Sequence, residues 1–273
     1  MSKTILITGS TDGIGKLAAI ELANQGHEVI IHGRTKSKIE AVVSEIKSVT
    51  GKDEVHSVLA DFSKLQEVKA MALKVKEKYQ CLDVLINNAG IFLSPKETNE
   101  EGWDIRFTVN YLAPMLLTQE LLSILEETST SRIINLGSAA QSPVSLKALI
   151  GEETLSANGA YAQSKLALTM WSFLLAKNIN YPKVIVVNPG SLLNTKMVQE
   201  AYGKFWSSAD KGKNVLVDLA TSDRYAEISG KYFDNDKGDL VGRFGDAHPD
   251  AYDEEKLIKL DQISQHLISK FQG

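Results

Sequence analysis

Residues 4–15 read Thr4-Ile5-Leu6-Ile7-Thr8-Gly9-Ser10-Thr11-Asp12-Gly13-Ile14-Gly15. The apolar run Thr4–Ile7 has strand length and β-branched enrichment. The glycines after it end the strand in a tight turn, and residues 14–25 read as a helix. Strand, Gly-rich turn and helix in that order open a βαβ unit, in which glycine lets a pyrophosphate approach the backbone closely. The helix N-terminus then offers unpaired N–H groups and a positive dipole end to the phosphates. The spacing is Gly-x3-Gly-x-Gly, not the Gly-x-Gly-x-x-Gly fingerprint. A glycine turn alone is weak evidence, equally readable as purely structural; the flanking strand and helix favour a dinucleotide.

Outward from this stretch, short apolar runs alternate with amphipathic segments. The runs are Glu28–Ile31, Val55–Ala60, Leu82–Ile86, Arg132–Leu136 and Val184–Val187. Helices are expected near 36–49, 64–78, 101–126 and 160–178. Strands apolar on both faces belong in a parallel sheet covered on both sides. The pattern predicts an α/β chain, a doubly wound parallel β-sheet with helices on both faces. Past Pro189 it loosens: a helix over 208–221, a short strand at Tyr232-Phe233, and a C-terminal helix over 250–271 with Leu257, Leu260, Ile263 and Leu267 on one face. No linker rich in Pro, Gly or Ser divides the chain, so one domain over 1–273 is expected.

The chain has 273 residues, of which 43% are hydrophobic, and its net charge is −4. Mild acidity argues against nucleic acid or an anionic membrane as main partner. No apolar stretch reaches 18 residues, so no membrane span is expected. The N-terminal apolar run is too short for a signal peptide, and a cytoplasmic protein is expected. The single cysteine, Cys81, excludes an intramolecular disulfide and reads as a small buried hydrophobe. His27, His32, His56, His248 and His266 lack metal-ligand spacing, so no metal site is expected.

The second strand ends His32-Gly33-Arg34-Thr35, with Lys36 and Lys38 close behind. An acid in this slot binds the adenosine ribose of NAD, whereas Arg suits the 2′-phosphate of NADP. Arg34 therefore points to NADP, with NAD the alternative; a solvated basic helix start is the plainer reading, and Asp12 within the turn runs against phosphate. Tyr161-Ala162-Gln163-Ser164-Lys165 places Tyr and Lys at i and i+4 on one helix face. Ser138 closes the fifth strand and Asn87-Asn88-Ala89-Gly90 the fourth. Ligands of open α/β sheets bind at the carboxyl ends of strands, so these segments converge on one crevice.

With these residues the chain resembles the short-chain dehydrogenase/reductase family, a single-domain Rossmann-type fold. The matching motifs are Thr8-Gly9…Gly13-Ile14-Gly15, Asn87-Asn88-Ala89-Gly90, Asn110, Ser138, Tyr161…Lys165 and Asn188-Pro189-Gly190…Thr195. Asn110-Tyr111-Leu112-Ala113-Pro114 and Gly230-Lys231-Tyr232-Phe233 are similar to the retinol-dehydrogenase and WW-domain-oxidoreductase branch. The resemblance implies that Tyr161 is the general acid, and that Lys165 lowers its pKa and binds the nicotinamide ribose. It implies that Ser138 hydrogen-bonds the substrate oxygen and that Asn110 anchors a water linking Lys165 to solvent. Cofactor contacts are implied for Gly9, Ser10, Thr11, Gly13, Ile14, Gly15, Arg34, Thr35, Asp61, Phe62, Asn88, Ala89, Gly90, Tyr161, Lys165, Pro189, Gly190 and Thr195. Plainer readings stand beside two of these: Asp61 as a helix cap and Asn110 as a satisfied polar core residue.

Ser138 and Tyr161 lie 23 positions apart, about ten more than the family's usual spacing, so a long loop is expected over 142–159. Leu192, Leu193, Met197, Tyr202, Phe205 and Trp206 fall in a substrate lid expected around 190–210. Together these features predict an NADP(H)-dependent oxidoreductase (EC 1.1.1.-) that passes hydride between nicotinamide and a hydrophobic carbonyl or alcohol. The alternative is a non-catalytic dinucleotide-binding regulatory protein. An epimerase or dehydratase is disfavoured, because Asp12 stands where its turn needs a glycine. Family habit implies a homodimer or homotetramer, though the branch includes monomers.

Overall fold

In the computed structural model, which describes residues 2–52, 54–237 and 243–272, strand and helix alternate from the first residues onward. The order is β1 (Thr4–Ile7), α1 (Gly13–Asn24), β2 (Glu28–Gly33), α2 (Lys36–Thr50), β3 (His56–Leu59), α3 (Leu65–Lys78), β4 (Val84–Asn87), α4 (Ile105–Phe107) and α5 (Ala113–Leu125). Then come β5 (Arg132–Leu136), α6 (Leu146–Leu149), α7 (Ala157–Asn178), β6 (Lys183–Asn188), α8 (Lys196–Tyr202), α9 (Ala209–Thr221), β7 (Lys231–Asp234), β8 (Arg243–Gly245) and α10 (Glu254–Ser269). The eight strands form one sheet in the order β3-β2-β1-β4-β5-β6-β7-β8. It is parallel from β3 to β7 and closed by an antiparallel edge at β8.

The continuous apolar runs explain why the sheet is covered twice. Successive side chains of a strand point to opposite faces. Ile5, Ile7, Val29, Ile31, Val84, Ile86, Ile185 and Val187 pack into one cluster with α1, α2 and α9. Leu6, Ile30, Leu85, Ile133, Val184 and Val186 pack into the other with α3, α5, α7 and α10. The strand order reverses between β1 and β4, and the carboxyl ends of β1, β2, β4, β5 and β6 open at that crevice.

Several features depart from the sequence expectation. The helix expected over 101–126 starts at Ile105 and contains a π-helical turn, Thr108–Leu112. Pro114 has no N–H for the Asn110 carbonyl, so the ladder widens and Ala113 N donates to the Thr108 carbonyl five residues back. Residues 142–159 hold the short helix α6 and the first turn of α7, whose Ser156 cap accepts from Gly159 N. The C-terminal helix begins at Glu254, after a 3₁₀ turn at Pro249–Tyr252, and lies along α7. Its Ser264 Oγ accepts a 2.7 Å bond from the Tyr111 hydroxyl. Cys81 is exposed, not buried: it sits in the turn between α3 and β4, where Leu82 takes the buried place. Among the described residues no helix is long and apolar enough to cross a membrane.

Candidate active site

The turn after β1 is locked from three sides. Gly9 has φ +64°, and a Cβ there would lie 2.8 Å from Ala89 Cα. A Cβ on Gly15 would lie 2.3 Å from Asn88 Nδ2. That amide is fixed, donating to the Thr8 carbonyl at 2.8 Å and the Gly9 carbonyl at 3.1 Å. The backbone N–H groups of Asn88 and Ala89 both donate to Thr8 Oγ1. β4 therefore grips β1, and the backbone forms a cradle that only glycine leaves open. Asp12 caps α1, accepting from Gly13 N, and lies 3.4 Å from Lys38 Nζ, which offsets its charge. Ser10 is buried and spent on the turn, donating to the Ile7 carbonyl and accepting from His32 N.

His32 is a supporting residue that the sequence reading passed over. Its Nδ1 accepts from Gly9 N at 3.0 Å, its Nε2 bonds the Ala60 carbonyl at 3.1 Å, and its ring stacks on Phe62 at 4.4 Å. Burial pulls its pKa down to about 4, so it is neutral and holds Nδ1 as an acceptor. The one clue was a polar ring within an otherwise apolar strand.

Arg34 stands exposed at the end of β2 with no hydrogen bond or ion pair among the described residues. Thr35 occupies the cap position of α2 without a side-chain cap bond. Thr11 packs against Gly33, and Thr195 comes within reach of Gly13 while capping α8. Ile14 meets Leu193 around Gly212. Asp61 neither caps α3 nor pairs with a cation: its carboxylate accepts from Ser63 N, and its own N–H donates to Glu67 Oε2. The cap position belongs to Lys64. These residues fit a dinucleotide: a glycine cradle at a helix N-terminus, with an unpartnered guanidinium just past the end of the neighbouring strand β2.

Ser138, Tyr161, Lys165 and Asn110 come together at the ends of β5 and α7. Lys165 Nζ donates to the Leu136 carbonyl at 2.8 Å and lies 5.7 Å from the Tyr161 ring centroid. Only 5% of Lys165 is exposed, and burial pulls its pKa down to about 8. The expectation that Lys165 lowers the Tyr161 pKa is not met in this structure. Burial raises the phenol, a hydrogen bond with Ser138 opposes the rise, and the nearby Tyr202 phenol adds to it. Desolvation, the largest of these effects, disfavours the charged phenolate.

The Asn110 side chain makes three hydrogen bonds. Its Oδ1 accepts from Ile91 N at 2.8 Å, and its Nδ2 donates to the Ile91 carbonyl and to Ser164 Oγ, both at 3.0 Å. Ser164 Oγ in turn donates to the Tyr161 carbonyl. The side chain thus ties the β4 exit to the turn that carries Tyr161. A Cβ on Gly90 would lie 3.3 Å from Asn110 Oδ1 and 3.4 Å from Lys165 Nζ.

On the far side, Asn188-Pro189-Gly190-Ser191 is held by residues that the sequence reading missed. Asn188 Nδ2 donates to Asp234 and Asp236, Asn235 Nδ2 donates to the Pro189 carbonyl, and Ser191 N and Oγ donate to Asp236. Residues 192–207 return on themselves, with Asn194 N donating to the Ser207 carbonyl and Trp206 N to that of Leu192. Tyr202, at the end of α8, lies 5.6 Å from Phe92, whose ring meets Tyr161 edge-on at 5.1 Å. Arg106, 1% exposed, fixes Phe92 by donating from Nε to its carbonyl and pairing with Glu97 and Asp104. Trp206 is 67% exposed.

The family model for short chain dehydrogenase matches residues 3–204. Retinol dehydrogenase 13 of Homo sapiens is 32% identical over 286 residues, covering 97% of this chain and 84% of its own. Polyprenol dehydrogenase of Homo sapiens is 32% identical, covering 86% of this chain and 77% of its own. A short chain dehydrogenase from Shigella flexneri, solved with NADP, superposes with a TM-score of 0.71 at 26% identity, covering 85% of this chain and 96% of that one. With its glycine cradle and the Ser138–Tyr161–Lys165 group at the strand ends, the chain belongs to the short-chain dehydrogenase family, in the retinol-dehydrogenase-like branch, and is an NAD(P)-dependent oxidoreductase.

Proposed function

We propose that the chain is an NADP(H)-dependent reductase of lipophilic aldehydes or ketones, able to run in reverse on the alcohols. The observation that carries this reading is the meeting of Ser138, Tyr161 and Lys165 beneath an aromatic wall of Phe92 and Tyr202. The bound dinucleotide supplies the hydride. Tyr161 gives its proton to the substrate oxygen; burial keeps the phenol protonated at neutral pH, the state a proton donor needs. Ser138 hydrogen-bonds the same oxygen and stabilises charge developing there. Lys165, with a pKa of about 8, is mostly protonated at pH 7 and presents a cation to the nicotinamide ribose. Asn110 acts by holding Ile91 and Ser164, and so the Tyr161 turn.

Around the cofactor, Gly9, Thr11, Gly13, Ile14 and Gly15 form the phosphate cradle, which the buried Ser10 supports through its bonds to Ile7 and His32, with Asn88, Ala89 and Gly90 beside the adenosine ribose. Asp61 and Phe62 border the adenine, and Pro189, Gly190 and Thr195 the nicotinamide. Arg34, exposed and unpartnered, and Thr35 face the 2′-phosphate. A guanidinium takes a phosphate as a planar fork, which supports NADP over NAD. The apolar residues of 190–210 form a lid, and relatives named for retinol and polyprenol support a lipophilic substrate. The non-catalytic alternative is disfavoured because every polar group of the catalytic set is in place.

The test is NADPH consumption against decanal, 4-nitrobenzaldehyde and all-trans-retinal. Turnover of at least one is expected, with Tyr161→Phe losing it. No turnover, or a Tyr161→Phe variant as active as the parent, refutes the reading. Arg34→Asp is expected to weaken NADPH more than NADH, by about tenfold or more for loss of a charge-assisted bidentate contact. An unchanged ratio of the two dissociation constants removes the role given to Arg34.

A further inference from the structure

The family model's match ends at residue 204, yet the chain beyond it reaches the candidate catalytic group. Tyr232, on β7, is 3% exposed, and its hydroxyl donates to the Ser138 carbonyl at 2.9 Å. The same carbonyl accepts from Gln141 Nε2 at 3.0 Å, and Gln141 also bonds the Tyr232 phenol. Gln141 Oε1 in turn accepts from His248 N at 2.9 Å, which ties this cluster to the C-terminal segment. The Ser138 hydroxyl accepts from Ala140 N at 3.1 Å.

This arrangement restricts Ser138 in two ways. Its carbonyl has two donors, so the peptide plane cannot rotate without breaking a hydrogen bond. Its hydroxyl oxygen has one lone pair occupied by Ala140, which leaves its hydrogen for the oxygen across the crevice. The phenol is also pushed upward by burial, so it stays a donor throughout the neutral range. Packing alone does not call for a tyrosine here. The ring lies in an apolar cluster that phenylalanine would fill equally well, and the hydroxyl is the one polar atom that tyrosine adds. That atom is spent on Ser138.

We propose that Tyr232, backed by Gln141, is a positioning residue that holds the Ser138 hydroxyl on the reacting oxygen. The proposal rests on the reading of Ser138 as the group that hydrogen-bonds the substrate oxygen. The same strand end carries Asp234, Asn235 and Asp236, which grip Asn188, Pro189 and Ser191. One segment, Tyr232–Asp236, therefore sets the distance between the substrate-oxygen side and the nicotinamide side of the crevice.

The test is Tyr232→Phe, with Gln141→Ala as a second variant, measured with NADPH and 4-nitrobenzaldehyde. Because positioning errors act on the reacting geometry, kcat is expected to fall about tenfold in each while KM for NADPH stays within about twofold. A melting temperature that falls while kcat holds would show that the hydroxyl only stabilises the fold, and would overturn the proposal. So would an equal loss in kcat and NADPH affinity. Amide exchange by mass spectrometry on the cofactor-free protein separates this proposal from the functional reading. Tyr232→Phe is expected to speed exchange at Ala140 about fivefold, the equivalent of one hydrogen bond, and to leave α1 unchanged. If the parent turns over no aldehyde but Ala140 speeds up, the clamp stands and the substrate reading falls. Unchanged Ala140 exchange overturns the clamp whatever the activity.

Discussion

Replacing Lys165 with methionine is expected to stabilise the cofactor-free protein while abolishing its activity. The lysine is buried beside one backbone carbonyl with no carboxylate to offset its charge, and its pKa falls from 10.5 to about 8. A difference of about 2.5 units corresponds to about 3 kcal/mol. Below pH 8 the group is protonated in both the folded and unfolded chain, so the folded state carries the whole penalty. Between pH 8 and about 10.5 the folded protein has released its proton and the unfolded chain has not, so stability climbs with pH. Above that range both forms are neutral and the penalty is gone. Methionine keeps most of the alkyl stem and loses the bond to the Leu136 carbonyl, a loss of about 1 kcal/mol. The net gain at pH 7 is about 2 kcal/mol, or roughly 4–8 °C in melting temperature for a domain of this size. Thermal unfolding followed by circular dichroism at pH 7 and pH 10 measures it. The gain should be plain at pH 7 and shrink to nearly nothing at pH 10. A variant that melts at or below the parent at pH 7, or one equally stabilised at both pH values, refutes the argument that Lys165 is a desolvated cation.

Two further outcomes follow from the cradle. His32→Asn leaves an acceptor for Gly9 N but no titrating ring. The parent folds around a neutral imidazole with a pKa of about 4, so protonation of the unfolded chain below pH 6.5 pulls it apart. In urea unfolding, the parent is expected to lose about 2–3 kcal/mol relative to His32→Asn between pH 7 and pH 4.5; parallel pH curves would contradict this. Gly15→Ala places a methyl 2.3 Å from Asn88 Nδ2 and 2.8 Å from the Gly9 carbonyl, both held by other bonds. It should cost about 1–3 kcal/mol and weaken NADPH binding, read by melting temperature and nucleotide fluorescence. An alanine variant that binds like the parent means that the cradle does not need this closeness.

The sheet was legible because each central strand is apolar on both faces, a pattern that nothing but a doubly covered parallel sheet satisfies. β1 and β2, which face helices on both sides, were located to within two residues, whereas β8 was not found at all. Arg243-Phe244-Gly245 is three residues long, and its register is set by Tyr232, Phe233 and Asp234 across the hairpin, not by its own side chains. The π-helical turn escaped for a related reason: Pro114 is acceptable near the start of a helix, and only the continuation from Ile105 makes it a break in the ladder.

Within the candidate site, legibility follows how far each partner lies along the chain. Tyr161 and Lys165 are one helical turn apart, so their proximity is written into their spacing. Asp236 and Ser191 are 45 positions apart, Tyr232 and Ser138 94, and nothing local marks either pair. Even for the legible pair, spacing set the distance but not the electrostatics. A cation one turn away should favour the phenolate, and in water it would. Here the ring of Phe92, the phenol of Tyr202 and the body of α7 remove the solvent that would stabilise either charge. The phenol rises and the ammonium falls to about 8, so their pKa values move apart and the ammonium becomes the stronger acid of the two. That separation makes proton transfer from the Lys165 ammonium to a Tyr161 phenolate downhill, which restores the phenol after it has given its proton away. Its causes, burial of both groups and the Tyr202 phenol, lie outside the Tyr-x3-Lys motif, which is why the motif could name the participants without giving the direction of either shift.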